Sequence, residues 1–224
     1  MTAAEVKTID HQAQELPMGL RLPARMSVLP LQAGKLALVS PVPFGDGCAE
    51  ALAEQGEVTH IIAPNLWHHL YLEYAMRRYP DAVVWGPAGL AKKRPDLRLD
   101  ACLEDVATDA LSPDICIVPI EGIPGLSEFA FFHQPSRTLV VTDLVFHMLQ
   151  PKGFMTKLIL TLMGTRGRLA VSRALKLMVR DRAATAASIE RLLALPIETV
   201  VMAHGEWQRE NGRAYLETAF AWLT

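Results

Sequence analysis

The chain has 224 residues, half of them hydrophobic and 21% charged, with a formal net charge of −2. That length supports one well-buried core, and the near-neutral balance gives no argument for nucleic acid as a partner. Three cysteines, Cys48, Cys102 and Cys116, with no C-x-x-C spacing, argue against a disulfide framework and a cysteine zinc site and for a reducing compartment. The polar N-terminus MTAAEVKTIDHQAQELP lacks the apolar core of a secretory signal. No uncharged apolar run approaches the roughly 18 residues that a bilayer span needs. The expectation is a cytoplasmic protein without a transmembrane segment.

In chain order, residues 1–17 read as a polar tail carrying no defensible chemistry. Arg21–Leu31 and Lys35–Ser40 read as two strands joined by a turn at Gln32-Ala33-Gly34. Pro41 and Pro43 interrupt the pattern, and Asp46–Gln55 is Ala-rich and helix-like before Gly56. Val58–Ala63 is a buried-strand pattern that ends in Pro64-Asn65, followed by Trp67, His68 and His69. From Leu66 to Tyr79 the apolar residues recur at a helical period, with Asn65 as the expected N-cap. Ala82–Trp85 is a further strand, and a loop with one helical turn carries Lys92-Lys93-Arg94. Ile115–Ile120, Glu128–Phe132 and Thr138–Thr142 are consecutive strands, with a turn at His133–Arg137. The last third is helical over Phe154–Met163, Leu169–Val179 and Ala183–Leu195. A strand over Glu198–Ala203 and a helix over Arg213–Leu223 close the chain. Two strand groups with helices between and after them suit a layered α/β sandwich, and no internal repeat or linker divides it. Residues 18–224 are therefore expected to form one domain.

Three strand-like runs end in metal-type side chains: His68 and His69 after the first, Asp143 after the second, His204 after the third. Ligands gather at the carboxyl ends of strands in open α/β sheets. Imidazoles with a carboxylate suit a divalent ion, zinc first, with iron or manganese as alternatives. An i,i+1 pair diverges by about 100° within a helix, so His68 and His69 can share an ion only where the backbone is still turning.

The order of these parts resembles the metallo-β-lactamase superfamily. More closely, APN-x-x-HH, PAGLAKKRPDL, FFHQPSRTLVVTDL and AHGEW resemble its divergent DUF4336 branch, over nearly the whole chain from about Leu20. The resemblance implies a four-layer αββα sandwich and, in most members, two metals. Here the superfamily's H-x-H-x-D-H corner falls on Pro64, Leu66, His68 and His69, and the histidine expected after Pro124-Gly125 falls on Leu126. These losses empty the first metal site. The second keeps His69 and His204, has His68 in place of an aspartate, and retains Asp143 as the would-be bridging carboxylate. The implied remnant is a single metal on His68, His69, Asp143 and His204, with Glu128 as a weak additional ligand or base.

The functional expectation is a metal-dependent hydrolase of a small-molecule substrate, with no catalytic residue assigned. The alternatives are a non-catalytic binding protein whose site is structural or empty, and a mononuclear non-haem iron oxidoreductase. Trp67 and Trp207 flank two of the proposed ligands and are weighed as pocket walls against plain core packing. His133 is read as a surface residue of a turn, and His147 shows no partner. The segment Lys152–Arg182, the core of a basic helical insert at about 150–182, holds eight Lys/Arg against one acid, Asp181. It reads first as two amphipathic helices with a solvated basic face, with a pocket lid, a dimer face or an anionic-membrane contact as sharper alternatives. No G-x-S-x-G elbow or phosphate loop is present.

Overall fold

The structure is a computed structural model that describes residues 5–16, 20–105 and 111–223. Two sheets lie face to face. The first runs in the spatial order β1 (Lys7–Leu16), β2 (Leu20–Leu31), β3 (Lys35–Val39), β4 (Glu57–Ile62), β5 (Val83–Gly86) and β6 (Ala101–Cys102). Its first two pairings are antiparallel and the rest are parallel. The second contains β7 (Ile115–Ile120), β8 (Glu128–His133) and β9 (Thr138–Val141) as an antiparallel meander. The late strand β12 (Thr199–Met202) adds to β9 in parallel. A small ribbon pairs β10 (Phe146–His147) with β11 (Leu169–Ala170).

The alternation of β8 sorts the layers, because successive side chains point to opposite faces of a sheet. Phe129 and Phe131 meet Leu29, Val39 and Ile62 in the core between the sheets. Ala130 and Phe132 point outward, into a core with Leu175, Ile189, Leu192, Leu216 and Phe220. Those residues come from α5 (Arg173–Met178), α6 (Arg182–Leu193) and α7 (Gly212–Phe220). The outer face of the first sheet is covered by α1 (Asp46–Ala53), α2 (Leu72–Arg78) and α3 (Ala88–Lys93), through Leu52, Leu72, Ala75 and Leu90. The result is the expected αββα sandwich. Phe131 is fully buried, and each such side chain contributes about 1.5–3 kcal/mol relative to an exposed one.

Helix α4 (Phe154–Met163) stands apart from these layers and packs through Leu160 on Leu22, Phe146 and Met148. It ends at Gly164, whose φ of +76° is the left-handed conformation that glycine adopts without penalty.

Three local readings change. Residues 7–16 of the expected polar tail form β1, paired along β2; an edge strand open to solvent lacks the apolar run that reveals a buried one. Residues 1–4 and 17 lie outside the described residues. The helix expected from Leu66 begins six positions later, at Leu72. The intervening backbone is held elsewhere: Leu66 N–H donates to Leu126 O at 2.9 Å, and Leu66 O accepts from Lys93 Nζ at 2.7 Å. Finally, Leu169–Val179 divides into β11 and α5, with Ser172 as the cap that accepts Leu175 N–H at 3.1 Å.

Candidate metal centre

The carboxyl ends of β4, β9 and β12 deliver His68, Asp143 and His204 to one place. One ligand atom from each lies within 4.8 Å of the others, the one such triad of metal-type side chains among the described residues. His68 Nε2 is 3.2 Å from Asp143 Oδ2, and His204 Nε2 is 3.4 Å from Asp143 Oδ1. Asp143 and His204 are buried and His68 nearly so.

The chain around these residues fixes which nitrogen each imidazole presents. His204 Nδ1 donates to Pro23 O at 2.7 Å, so Nε2 is the nitrogen turned towards Asp143. The loop that carries His204 is clamped from β2. There, Arg25 Nη1 donates to Met202 O at 3.1 Å and to Gly205 O at 2.6 Å, while Asp10 takes the rest of the guanidinium in a bidentate pair. Gly205 cannot be replaced easily: its φ is +103°, and a Cβ there would stand 2.2 Å from His147 O. Phe146 stacks on the His204 ring at 5.3 Å. His68 Nδ1 is bonded to Ser40 Oγ at 2.7 Å. Ser40 itself has a φ of +57°, a conformation that non-glycine residues adopt at a cost of order 1 kcal/mol or more and that gathers at functional sites.

Asn65 ties the corner together. Its Oδ1 accepts Trp67 N–H at 2.8 Å and His68 N–H at 2.7 Å. Its Nδ2 faces Glu128 Oε2 at 2.6 Å, Thr142 Oγ1 at 3.0 Å and Asp143 Oδ2 at 2.9 Å. The sequence reading makes Asn65 a helix cap; it caps a turn and also orients a carboxylate. Burial alone would raise the Asp143 carboxyl, but the charges and hydrogen bonds of His68 and His204 hold it well below the usual range. Glu128 goes the other way. Burial first, then the Asp143 charge, push it up to about 7 against the bonds from Asn65 and Thr142.

Two residues of the expected ligand set fall outside this group. His69 is buried, but its Nδ1 faces Arg94 Nη1 at 3.4 Å. Burial, then Lys93 and Arg94, hold it below the ordinary histidine range. Adjacent side chains in a turn diverge, and the corner sends His68 to the site and His69 away from it. Glu128 also stands outside the triad: Oε1 accepts both Thr142 N–H and Thr142 Oγ1–H at 2.7 Å, and Oε2 accepts from Asn65. Pro64, Leu66 and Leu126, where the resemblance would place further ligands, are closed off by backbone pairing and packing. Leu126 is fully buried, Leu66 N–H reaches Leu126 O, and Phe129 N–H reaches Pro64 O.

Other assignments shift as well. Trp67 walls a cavity that it shares with His68, Asp143 and His204, whereas Trp207 packs on the inter-sheet core and lies under Arg209. His133 is buried rather than superficial, with Nδ1 accepting Ser136 N–H at 3.3 Å. His147, without a partner in the sequence reading, bonds Glu206 O at 3.0 Å, and its backbone braces His204. Ser40, Pro23 and Arg25 carry no motif. A buried arginine on a strand is at most a hint of a clamped loop.

A cavity of about 300 Å³ opens over the cluster, with His68, Asp143 and His204 at one side. Most of the remaining wall is apolar, formed by Leu22, Val42, Trp67, Leu70, Phe146 and Met163. The donor set fits a divalent cation. With Nδ1–H committed to Pro23 O, His204 turns Nε2 towards Asp143, and His68 Nε2 meets the same carboxylate, so two imidazole nitrogens and a carboxylate converge on one point, as a divalent ion requires.

Residues 5–90 match the family model for the domain of unknown function DUF4336, the branch that the sequence motifs resemble. No curated protein matches the chain. Among solved structures, the flavodiiron core of Flv1 from Synechocystis sp. PCC6803 aligns with a TM-score of 0.64 at 14% identity, covering 97% of this chain and 58% of that one. The chain thus spans little more than half of that core. A metallo-β-lactamase from Pontibacter korlensis aligns with a TM-score of 0.60 at 16% identity, covering 98% of both chains. A putative diflavin flavoprotein fragment from Nostoc sp. PCC 7120 gives 0.61 at 13% identity, covering 97% of this chain and 90% of that one. The chain has the metallo-β-lactamase fold.

Proposed function

We propose, with that fold as premise, that the chain is a metal-dependent hydrolase using one divalent ion held by His68, Asp143 and His204. The observation that carries this reading is the count of donors beside an open cavity. Three protein donors leave a tetrahedral ion one position for water or substrate, whereas structural zinc sites use four. His69 turning away towards Arg94 therefore favours catalysis over a purely structural role. When bound, such an ion supplies Lewis acidity, acidifying a water and polarising a carbonyl or phosphoryl oxygen.

The chain's own residues hold the rest in place. Pro23 O fixes the His204 ring, Ser40 the His68 ring, and Asn65 the Asp143 carboxylate. The apolar wall excludes water from the body of a bound molecule, so the substrate is a small molecule with an apolar part next to its reacting carbonyl or phosphoryl group. Elemental analysis of protein purified without added metal tests the reading. About one equivalent of zinc, lost in His204→Ala, together with turnover of an ester, lactone, thioester or phosphodiester, supports it. Less than about a tenth of an equivalent of any transition metal overturns it, given how tightly such sites hold zinc. Full metal content with silence across those substrates leaves a binding protein instead.

A second reading is a mononuclear iron oxidoreductase. Two histidines and one carboxylate with open positions are also the donor set of non-haem iron, and the structural relatives include flavodiiron proteins. Iron rather than zinc in the purified protein favours it.

A further inference from the structure

Helix α4 turns its apolar side the wrong way for a helix of a water-soluble sandwich. Thr156 and Leu160 are its buried residues, yet Phe154 is 78% exposed, Leu162 61%, and Met155 and Leu158 are exposed too. At about 100° per residue these four side chains form one stripe, which points directly away from the buried side. A contiguous exposed apolar face of this kind marks an interaction surface. Lys157 flanks the stripe, and beyond the helix Arg166 Nη1 reaches back to Thr161 Oγ1 at 3.4 Å. Between Lys152 and Arg180 the sequence contains no acidic residue. The cations crowd one another: burial, then Arg168 and Arg173, hold the Lys176 ammonium below its ordinary range.

We propose that α4 docks flat on an anionic lipid surface, its apolar stripe entering the interface and the flanking lysines and arginines meeting lipid phosphates. An apolar stripe edged by Lys and Arg is the pattern of helices that lie in the membrane–water interface. Charge decides the occupant. A second copy would bring the same cations against these cations, whereas an anionic leaflet attracts each Lys or Arg near it. No helix of the described residues is long and apolar enough to cross a membrane, so the contact is peripheral. Met163, on the same helix, lines the cavity over the metal-type cluster, so the helix joins the lipid-facing surface to that cavity.

The test is co-sedimentation of the full chain with vesicles of phosphatidylcholine alone and of phosphatidylcholine with about one-third phosphatidylglycerol. The proposal expects partitioning at least about tenfold stronger onto the anionic vesicles, falling about as much when salt shortens the screening length to about 3–4 Å. Phe154→Ser with Leu162→Ser, both at exposed positions and checked for an unchanged melting temperature, lowers partitioning about tenfold or more. His204→Ala partitions as the wild type does, which separates this surface from the proposed metal chemistry. Equal partitioning onto both vesicles, or an unaffected double variant, overturns the proposal. So does a salt-resistant dimer of the wild type that the double variant abolishes, since the stripe would then belong to a second copy.

Discussion

Asn65 and Asp143 are joined by a hydrogen bond of 2.9 Å, although 78 residues separate them in the chain. The same amide holds the Trp67 and His68 backbone N–H groups and reaches Glu128. One side chain therefore sets both the turn that presents His68 and the carboxylate that His68 faces. The consequences of this coupling can be measured.

Asn65→Ala removes a donor shared by two buried carboxylates and leaves two backbone N–H groups uncapped. Unfolding by denaturant should show a loss of about 2–4 kcal/mol. Metal affinity should fall about 10–100-fold, as outer-shell substitutions commonly do. An affinity change without a stability change would mean that Asn65 orients the site but does not brace the turn.

His68 and His69 should separate cleanly. His68→Ala lowers bound metal below about a tenth of an equivalent, as expected when one of three ligands is lost. His69→Ala leaves the metal content near that of the wild type, because its ring faces Arg94. Elemental analysis of the two variants purified side by side decides it, and loss of metal in both would restore His69 as a ligand.

Ser40 combines a strained backbone with a bond to His68. Ser40→Gly relieves a left-handed conformation, so stability should hold or rise by up to about 1 kcal/mol. The same variant loses the bond to His68 Nδ1, and metal affinity should drop about tenfold or more. Thermal melts and metal titration should thus move in opposite directions.

Two histidines should weaken the fold as they take up protons, the buried His133 and the half-buried His60. His133 is held below the ordinary 6.5 by burial, with Asp114 opposing in part, and His60 is lowered by burial and then by Lys35. A histidine with a depressed folded pKa binds fewer protons folded than unfolded. Its contribution is therefore present above about pH 6.5 and is lost as pH falls from there through the folded value. Glu128 works against the two histidines: pushed up to about 7, it takes a proton in the fold before the unfolded chain does and so adds stability as pH falls through the same window. From about pH 7 to pH 5 the melting temperature of His133→Asn, which keeps an acceptor near Ser136, should therefore fall less, or rise more, than that of the wild type. An unchanged pH slope in His133→Asn would assign the acid limb to other groups.

The sequence by itself marked most of the strands and helices and a layered α/β sandwich, and its resemblance to the metallo-β-lactamase superfamily implied the four layers. Buried strands such as Ile115–Ile120 and Thr199–Met202 write near-continuous apolar runs, and helices such as Phe154–Met163 and α6 write a 3.6-residue period. It also determined three of the residues that meet, because His68, Asp143 and His204 each follow a strand's carboxyl end. Strand β1 was not legible, since an edge strand can be as polar as a tail. Only the tertiary structure decided between His68 and His69. Neighbours in a turn carry the same chemistry in sequence and opposite directions in space, and the choice rests on bonds from Ser40 and Arg94. It likewise decided that Glu128 is locked by Thr142 and Asn65, and that Pro23 and Arg25 hold the His204 loop. Those contacts span up to 181 residues, and no local pattern records them, because a backbone carbonyl carries no sequence signature.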